Sequence, residues 1–172
     1  MSTSHHGHDA AAVECGILTV SDTRTEADDH SGQRIRALLE ERGHRVTFYR
    51  IVKDEPEQIG AVVRALPGSV TALICNGGTG IAKRDTTYEA ITRLLEKEIT
   101  GFGELFRMLS WEQVGAAAML SRATAGIAGS RAIFSLPGST KAVELAMTKL
   151  ILPQLGHVVG LVREGRCPAP AA

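Results

Sequence analysis

Three loops in the sequence carry residue types that bind phosphate. Residues 76–85, NGGTGIAKRD, include three glycines, which permit positive φ angles and close backbone approach, so that N–H groups can surround an anion. Residues 137–141, PGSTK, offer two hydroxyl groups at the expected start of a helix. Residues 21–24, SDTR, add hydroxyl and carboxyl groups. Two anion-binding loops on one rim would suit a substrate that carries several phosphates.

Each of these features also has a purely structural interpretation. A glycine pair after a strand often forms only a tight turn. Asp54 precedes a helical pattern and would serve as its N-cap, whereas Asp85, beside Lys83 and Arg84, would serve as a solvated ion-pair residue. The coincidence of two glycine- and hydroxyl-rich loops is what favours a functional site.

Familiar nucleotide-binding and catalytic motifs are missing. The P-loop pattern GxxxxGK[ST] does not occur, because the order around Lys141 is Gly138, Ser139, Thr140, Lys141. The dinucleotide fingerprint GxGxxG fails because Lys83 stands at its third glycine position. The sequence also lacks GxSxG, HExxH and a clustered Cys/His set, which argues against hydrolase-triad and zinc enzymes.

Length and composition reduce the number of possible functional classes further. The chain has 172 residues, which corresponds to one domain, and its 19 Lys and Arg balance 19 Asp and Glu. No net field attracts nucleic acid, and four Phe, two Tyr and one Trp are few for base stacking. Three cysteines without CxxC spacing fit a reducing compartment. Because no long apolar run or secretory signal is present, we expect no membrane contact and a cytoplasmic protein.

The elements that must position the loops alternate between strand and helix. Apolar runs predict strands over residues 15–20, 44–52, 70–75 and 131–136. Helical patterns with capping signals, Asp54 with Glu57 and Thr86 with Glu89 among them, predict helices over residues 31–42, 54–66, 87–96, 101–111, 114–120 and 140–152. Residues 156–162 are left unassigned.

This alternation predicts an α/β fold with a mostly parallel central sheet covered on both faces. In such sheets the loops at the carboxyl ends of the strands share one rim, where the three candidate loops fall. We expect residues 1–12, with His5, His6 and His8, to be a disordered leader, residues 13–165 to form the domain, and residues 166–172 to be a flexible tail.

The segment NGGTGIAKRDTTYEA at residues 76–90 resembles the signature of the MoaB/Mog family of molybdenum cofactor biosynthesis proteins. Four further blocks look like family segments in the family's order: TVSDTR, GFGELFRMLS, AMLSRATAGI and LPGSTKA. The resemblance covers residues 13–163, and the second of these blocks looks more like MoaB than Mog. Asn76 and Tyr88 depart from the usual Thr and Pro of the family pattern.

The resemblance implies a three-layer αβα sandwich, a trimer or hexamer, and a molybdopterin-binding domain. Active members of the family join the terminal phosphate of molybdopterin to AMP from Mg-ATP, release pyrophosphate, and hand the product to a MoeA-type molybdate insertase. The implied cofactor is Mg²⁺, and the implied substrates are ATP and molybdopterin. Two alternatives stay open: a non-catalytic molybdopterin carrier or scaffold, and a generic dinucleotide-type nucleotide-binding module.

The resemblance also implies roles for particular residues. Asp54 and Asp85 match acidic residues that Mog-type enzymes require, and they would be the catalytic residues and Mg²⁺ ligands. Backbone N–H groups of the glycine loop, with Lys83 or Arg84, would spread phosphate charge. The remaining expected substrate contacts are Ser21, Asp22, Gly77, Gly78, Thr79, Gly80, Glu104, Ser121, Pro137, Gly138, Ser139 and Thr140.

Overall fold

A computed structural model describes residues 12–165 of the chain. The expected leader, including His5, His6 and His8, lies outside the described residues apart from its last residue, and so does the expected tail at residues 166–172.

The domain is built on a six-stranded mixed sheet. Its strands are β1 (Glu14–Val20), β2 (Arg45–Val52), β3 (Ala72–Asn76), β4 (Lys97–Glu98), β5 (Thr124–Ala128) and β6 (Arg131–Leu136). The spatial order is β2-β1-β3-β6-β5-β4. Strands β2, β1, β3 and β6 run parallel, whereas β5 pairs antiparallel with both β6 and β4. The parallel part of the sheet therefore presents the carboxyl ends of four strands at one edge.

Helices cover both faces of this sheet. They are α1 (His30–Glu41), α2 (Pro56–Arg64), α3 (Thr87–Thr92), α4 (Thr100–Val114), α5 (Thr140–Ala146) and α6 (Leu152–Glu164). A 3₁₀ turn (Gly115–Leu120) follows α4, and a π-helical turn (Met147–Ile151) joins α5 to α6.

Two apolar clusters, one on each face, hold the layers together. Alternate residues of a strand face opposite sides of a sheet. Accordingly Ile17 packs in the cluster with residues of α1, α4, α5 and α6, whereas its neighbour Leu18 packs with residues of α2 and α3. The predicted αβα sandwich is confirmed, with an antiparallel edge that the sequence patterns did not indicate.

The continuous helical stretch Thr140–Glu164 is long and apolar enough to cross a membrane, by length and composition only. A core helix of a globular protein has the same properties. Val143, Met147, Leu155 and Val159 on this stretch are buried against the sheet cluster, which accounts for its composition.

Several predicted element boundaries are wrong. Helix α2 starts at Pro56 with Glu55 as N-cap, so Asp54 does not cap it; the Asp54 carboxylate instead accepts hydrogen bonds from Thr86. Thr86, whose hydroxyl donates to Asp54, makes no side-chain cap bond to α3. Helix α3 ends at Thr92 rather than at residue 96. Strand β3 begins at Ala72, and the unassigned residues 156–162 are helical.

Candidate functional site

The glycine loop leaves the sheet edge directly after β3. Gly77 and Gly78 have φ angles of 101° and 64°, and a Cβ on Gly77 would lie 2.1 Å from the carbonyl oxygen of Val20. Only glycine fits this approach between β1 and β3. The Gly77 N–H donates to the Leu136 carbonyl at 3.0 Å, so it ties the loop to β6 instead of pointing at a ligand.

The hydroxyl-bearing loop after β6 lies against the glycine loop. A Cβ on Gly138 would be 3.2 Å from the Cα of Gly77, so the two backbones are in contact. The Ser139 hydroxyl oxygen accepts from the Ala142 N–H at 3.3 Å and thereby caps α5. Its hydroxyl hydrogen stays available to donate to an anion.

Both loops line one cavity of about 1050 Å³. This is at the upper end of the ~300–1,000 Å³ range of small-molecule sites. α4, the 3₁₀ turn and α5 complete its wall. The expected substrate-contacting residues on this wall are Gly78, Thr79, Gly80, Asp85, Ser121, Pro137, Gly138, Ser139 and Thr140.

Asp85 lies between this cavity and a smaller one of about 410 Å³. One carboxylate oxygen, Oδ2, accepts from the Ala82 N–H at 2.9 Å. The described residues give Oδ1 no hydrogen-bond donor. The loop therefore fixes the carboxylate through one oxygen and leaves the other for a ligand.

Asp54 is almost fully buried behind Gly78. Its Oδ1 accepts from the N–H and the hydroxyl of Thr86 at 3.0 and 2.7 Å. Burial raises the pKa of the Asp54 carboxyl above its ordinary value; the two Thr86 bonds oppose this shift, and the negative charges of Asp85 and Asp22 add to it. Asp54 and Asp85 thus lie close enough to interact electrostatically, although Asp54 does not line the large cavity.

Arg84 forms an ion-pair network beside Asp54. Its guanidinium donates to both carboxylate oxygens of Asp22, at 2.8 and 2.9 Å, and to Glu55 at 2.7 Å. The arginine lowers the pKa of Asp22 to about 2, with help from the Asp54 N–H, which donates to Asp22 Oδ1 at 3.2 Å. In this arrangement Arg84 and Asp22 hold the backbone of Asp54 and lie outside the cavity wall.

Two other predicted contacts also lie away from the cavity. The hydroxyl oxygen of Ser21 accepts from the N–H groups of Thr23 and Arg24, which is a local turn. Glu104 is exposed on α4 and does not line either cavity.

A buried polar network that the sequence patterns did not indicate supports the hydroxyl-bearing loop. Asp29, fully buried, accepts from the hydroxyls of Thr19 and Tyr49 at 2.5 and 2.7 Å and caps α1 through the Gly32 N–H. Arg24 contacts Asp29 and donates to the Gly138 carbonyl at 3.0 Å. An Asp two residues before the predicted helix at 31–42 was the available clue to this role.

Two carboxylates are candidates to hold a divalent cation. Within residues 12–165, no group of three or more His, Cys, Asp or Glu side chains is arranged to hold a metal by itself. Asp54 Oδ2 and Asp85 Oδ1 are each left without a donor from the described residues, since the bonds above use the other oxygens. This donor set fits Mg²⁺, which binds proteins through one or two carboxylates and takes its other ligands from substrate phosphates and water.

Comparison with known proteins identifies the family. Residues 16–157 match the family described as "Probable molybdopterin binding domain". The chain is also 54% identical to Molybdenum cofactor biosynthesis protein B of Halalkalibacterium halodurans over 170 residues, covering 96% of this chain and all of that protein. The chain belongs to the MoaB/Mog family. The resemblance seen in the five sequence blocks is confirmed, and the family's role is molybdenum cofactor biosynthesis.

Solved structures of MoaB proteins have the same fold. A crystal structure of a Molybdenum cofactor biosynthesis protein B has a TM-score of 0.88 at 53% identity, covering 91% of this chain and 99% of that one. The tungsten cofactor synthesizing protein MoaB from Pyrococcus furiosus has a TM-score of 0.79 at 38% identity, covering 89% of this chain and 98% of that one. The family match over residues 16–157 includes both loops that line the cavity.

Proposed function

We propose that the protein is a Mg-ATP-dependent molybdopterin adenylyltransferase. The observation that carries this proposal is that the glycine loop and the hydroxyl-bearing loop meet at one cavity with Asp85 in its wall. Both substrates of the reaction end in phosphate. Such an enzyme therefore needs two neighbouring anion-binding surfaces that hold the two phosphate groups within reacting distance of each other.

In this reaction a phosphate oxygen of molybdopterin attacks the α-phosphorus of ATP. The new P–O bond forms as the bond from the α-phosphorus to the bridging oxygen breaks, and pyrophosphate carries away the electron pair. Because the attacking atom is already an ionised oxygen, the protein supplies no nucleophile; it aligns the two substrates and reduces the repulsion between them.

Residues of the cavity wall have suitable positions for this alignment. The hydroxyls of Ser139 and Thr140 would donate to the pterin phosphate; the capping bond uses the Ser139 oxygen only as an acceptor, so its hydroxyl hydrogen can rotate toward a ligand. The backbone from Gly78 to Gly80 would face the ATP phosphates. Arg84 is engaged with Asp22 and Glu55, so its contribution would be to hold the Asp54 segment.

Asp54 and Asp85 would hold Mg²⁺ through their free oxygens. When bound there, the cation would neutralise phosphate charge in the transition state and orient the leaving group. Burial raises the pKa of the Asp54 carboxyl, and the negative charges of Asp85 and Asp22 add to this shift; a bound cation would offset both effects.

The test is a direct assay of purified protein with molybdopterin, ATP and Mg²⁺, measuring both adenylyl-molybdopterin and pyrophosphate. We expect equal amounts of the two products, and no reaction after chelation of Mg²⁺. Protein that binds the pterin without ever forming product would be the carrier. Tighter binding of NAD than of ATP would instead indicate the dinucleotide-type module.

We also propose that the chain forms a trimer or hexamer. Large apolar side chains are exposed along α4 and the turn after it, namely Leu105, Met108, Trp111, Val114, Met119 and Leu120. Exposed patches of this kind usually mark protein contacts. Light scattering of Trp111→Glu should show smaller particles than the wild type, whereas Leu161→Glu, on the exposed face of α6, should not; equal masses of all three would remove this surface from the interface.

A further inference from the structure

Arg122, between the 3₁₀ turn and β5, reaches back to the loop that carries Asp85. Its guanidinium donates through Nε to the Gly80 carbonyl at 2.9 Å and through Nη2 to the Asp85 carbonyl at 3.0 Å. The third nitrogen, Nη1, pairs with Glu89 on α3. The same residue therefore holds both ends of the segment 80–85.

The backbone of Arg122 adds a further tie, because its N–H donates to the Thr79 carbonyl at 3.2 Å. Within the segment, the backbone bond from the Asp85 N–H to the Ala82 carbonyl and the bond from the Ala82 N–H to the Asp85 carboxylate are both local. Ile81, Ala82 and Lys83 are exposed. Arg84 ties the outer side of the segment to Asp22 and Glu55, whereas Arg122 ties the Gly80 and Asp85 carbonyls on the side of the smaller cavity.

Helix α3 orients the guanidinium itself. The guanidinium carbon lies over the Tyr88 ring, 5.0 Å from its centroid, which is a cation–π contact, and Glu89 provides the charge partner. The side chain of Arg122 is mostly buried, with 26% of its surface exposed. A planar group with this many fixed donors cannot be replaced by the single ammonium of lysine, which cannot reach three separated acceptors at once.

We propose that Arg122 is a positioning residue that sets the Asp85 carboxylate at the wall shared by the two cavities. Arg122 contacts no reacting atom in this assignment; it acts by holding the Gly80 and Asp85 carbonyls, which bracket the loop. The catalytic consequence rests on the proposed adenylyltransferase function, whereas the structural consequence for residues 80–85 does not.

The experiment compares Arg122→Lys with Arg93→Lys. Arg93 lines the same smaller cavity, and no side-chain hydrogen bond or ion pair holds it within the described part of the chain, so it is the matched control. For Arg122→Lys we expect kcat for adenylylation to fall about 100-fold, the effect of ~1 Å misplacement of a catalytic group, with KM for molybdopterin nearly unchanged. Hydrogen exchange at Ala82 should become faster while exchange in β3 stays slow. Arg93→Lys should change none of these.

Three outcomes overturn the assignment: unchanged Ala82 exchange in Arg122→Lys, an unchanged kcat in an active enzyme, or an equal loss in both variants. If the wild type forms no adenylylated product, the proposed function fails. Hydrogen exchange at Ala82 still tests whether Arg122 holds residues 80–85 in place. Should Arg122→Lys not fold, Glu89→Gln replaces it, because it keeps the arginine and removes its charge partner. Faster Ala82 exchange in that variant supports the role, and unchanged exchange overturns it.

Discussion

At Gly78 one added methyl group should disturb the Asp54 carboxylate directly. A Cβ there would lie 2.2 Å from Asp54 Oδ2 and 2.2 Å from the Thr87 hydroxyl oxygen, far inside van der Waals contact. The φ angle of 64° adds conformational strain for any residue other than glycine. In Gly78→Ala the Asp54 carboxylate must therefore move away from the loop.

The cost can be worked out from the bonds that this movement breaks. Asp54 accepts two hydrogen bonds from Thr86, and bonds to a charged group contribute ~1.5–3 kcal/mol each. The left-handed φ costs ~1–2 kcal/mol, partly offset by ~0.4–1 kcal/mol from the less flexible unfolded chain. We expect Gly78→Ala to lower the free energy of unfolding by about 3–7 kcal/mol and to reduce adenylylation about 100-fold.

Gly43→Ala is the matched control, because Gly43 also has a positive φ, 78°, but no atom lies within 4 Å of its added Cβ. Gly43→Ala should lower the free energy of unfolding by only about 1 kcal/mol and leave turnover unchanged. Urea denaturation at 25 °C gives both free energies, and the difference between the two variants measures the crowding at Asp54. Equal stability and equal turnover in the two variants would refute this account of the loop.

Three further substitutions test the carboxylates. Asp85→Asn should abolish turnover with little change in melting temperature, since an amide oxygen still accepts the Ala82 N–H; a large fall in melting temperature would make Asp85 structural. Folding raises the pKa of the Asp54 carboxyl, so the protonated carboxyl contributes favourably to the free energy of unfolding. This contribution is complete below the ordinary pKa of 3.8 and declines as pH rises through the folded-state pKa. Asp54→Asn lacks this decline, so its unfolding free energy in urea should rise relative to wild type as pH increases above 3.8, while its turnover falls. Full turnover would remove Asp54 from the mechanism. Asp29→Asn should lower the free energy of unfolding in urea by about 3 kcal/mol, more than Tyr49→Phe does. The reason is that one buried carboxylate oxygen becomes an amide NH₂ group, which cannot accept a hydrogen bond.

Much of the fold and part of the site could be predicted because their causes are local in the chain. The apolar runs that became β1, β3 and β6 each end in a polar loop, and parallel strands bring such loops to one edge. That rule places Gly78 and Ser139 at one cavity without any knowledge of distances. The MoaB/Mog family is also readable from the ordered blocks.

The errors in the predicted elements have a common physical origin. Asp54 has every local property of an N-cap, yet Thr86, which is 32 residues away, donates to its carboxylate instead. Strand β5 consists of TAGIA, which is short and rich in small residues, and its pairing with β6 is what makes it a strand. Contacts between distant segments overrule local preference in both cases.

The sequence by itself therefore determined the layers, the rim and the positions of the glycine loop and the hydroxyl-bearing loop, because periodicity and loop chemistry act over a few residues. Only the tertiary structure decided how the charged groups are partnered: Arg84 with Asp22 and Glu55, and Arg122 with the loop of Asp85. Partner choice among charged side chains depends on distances of a few ångströms between segments remote in the chain, and no local pattern encodes those distances.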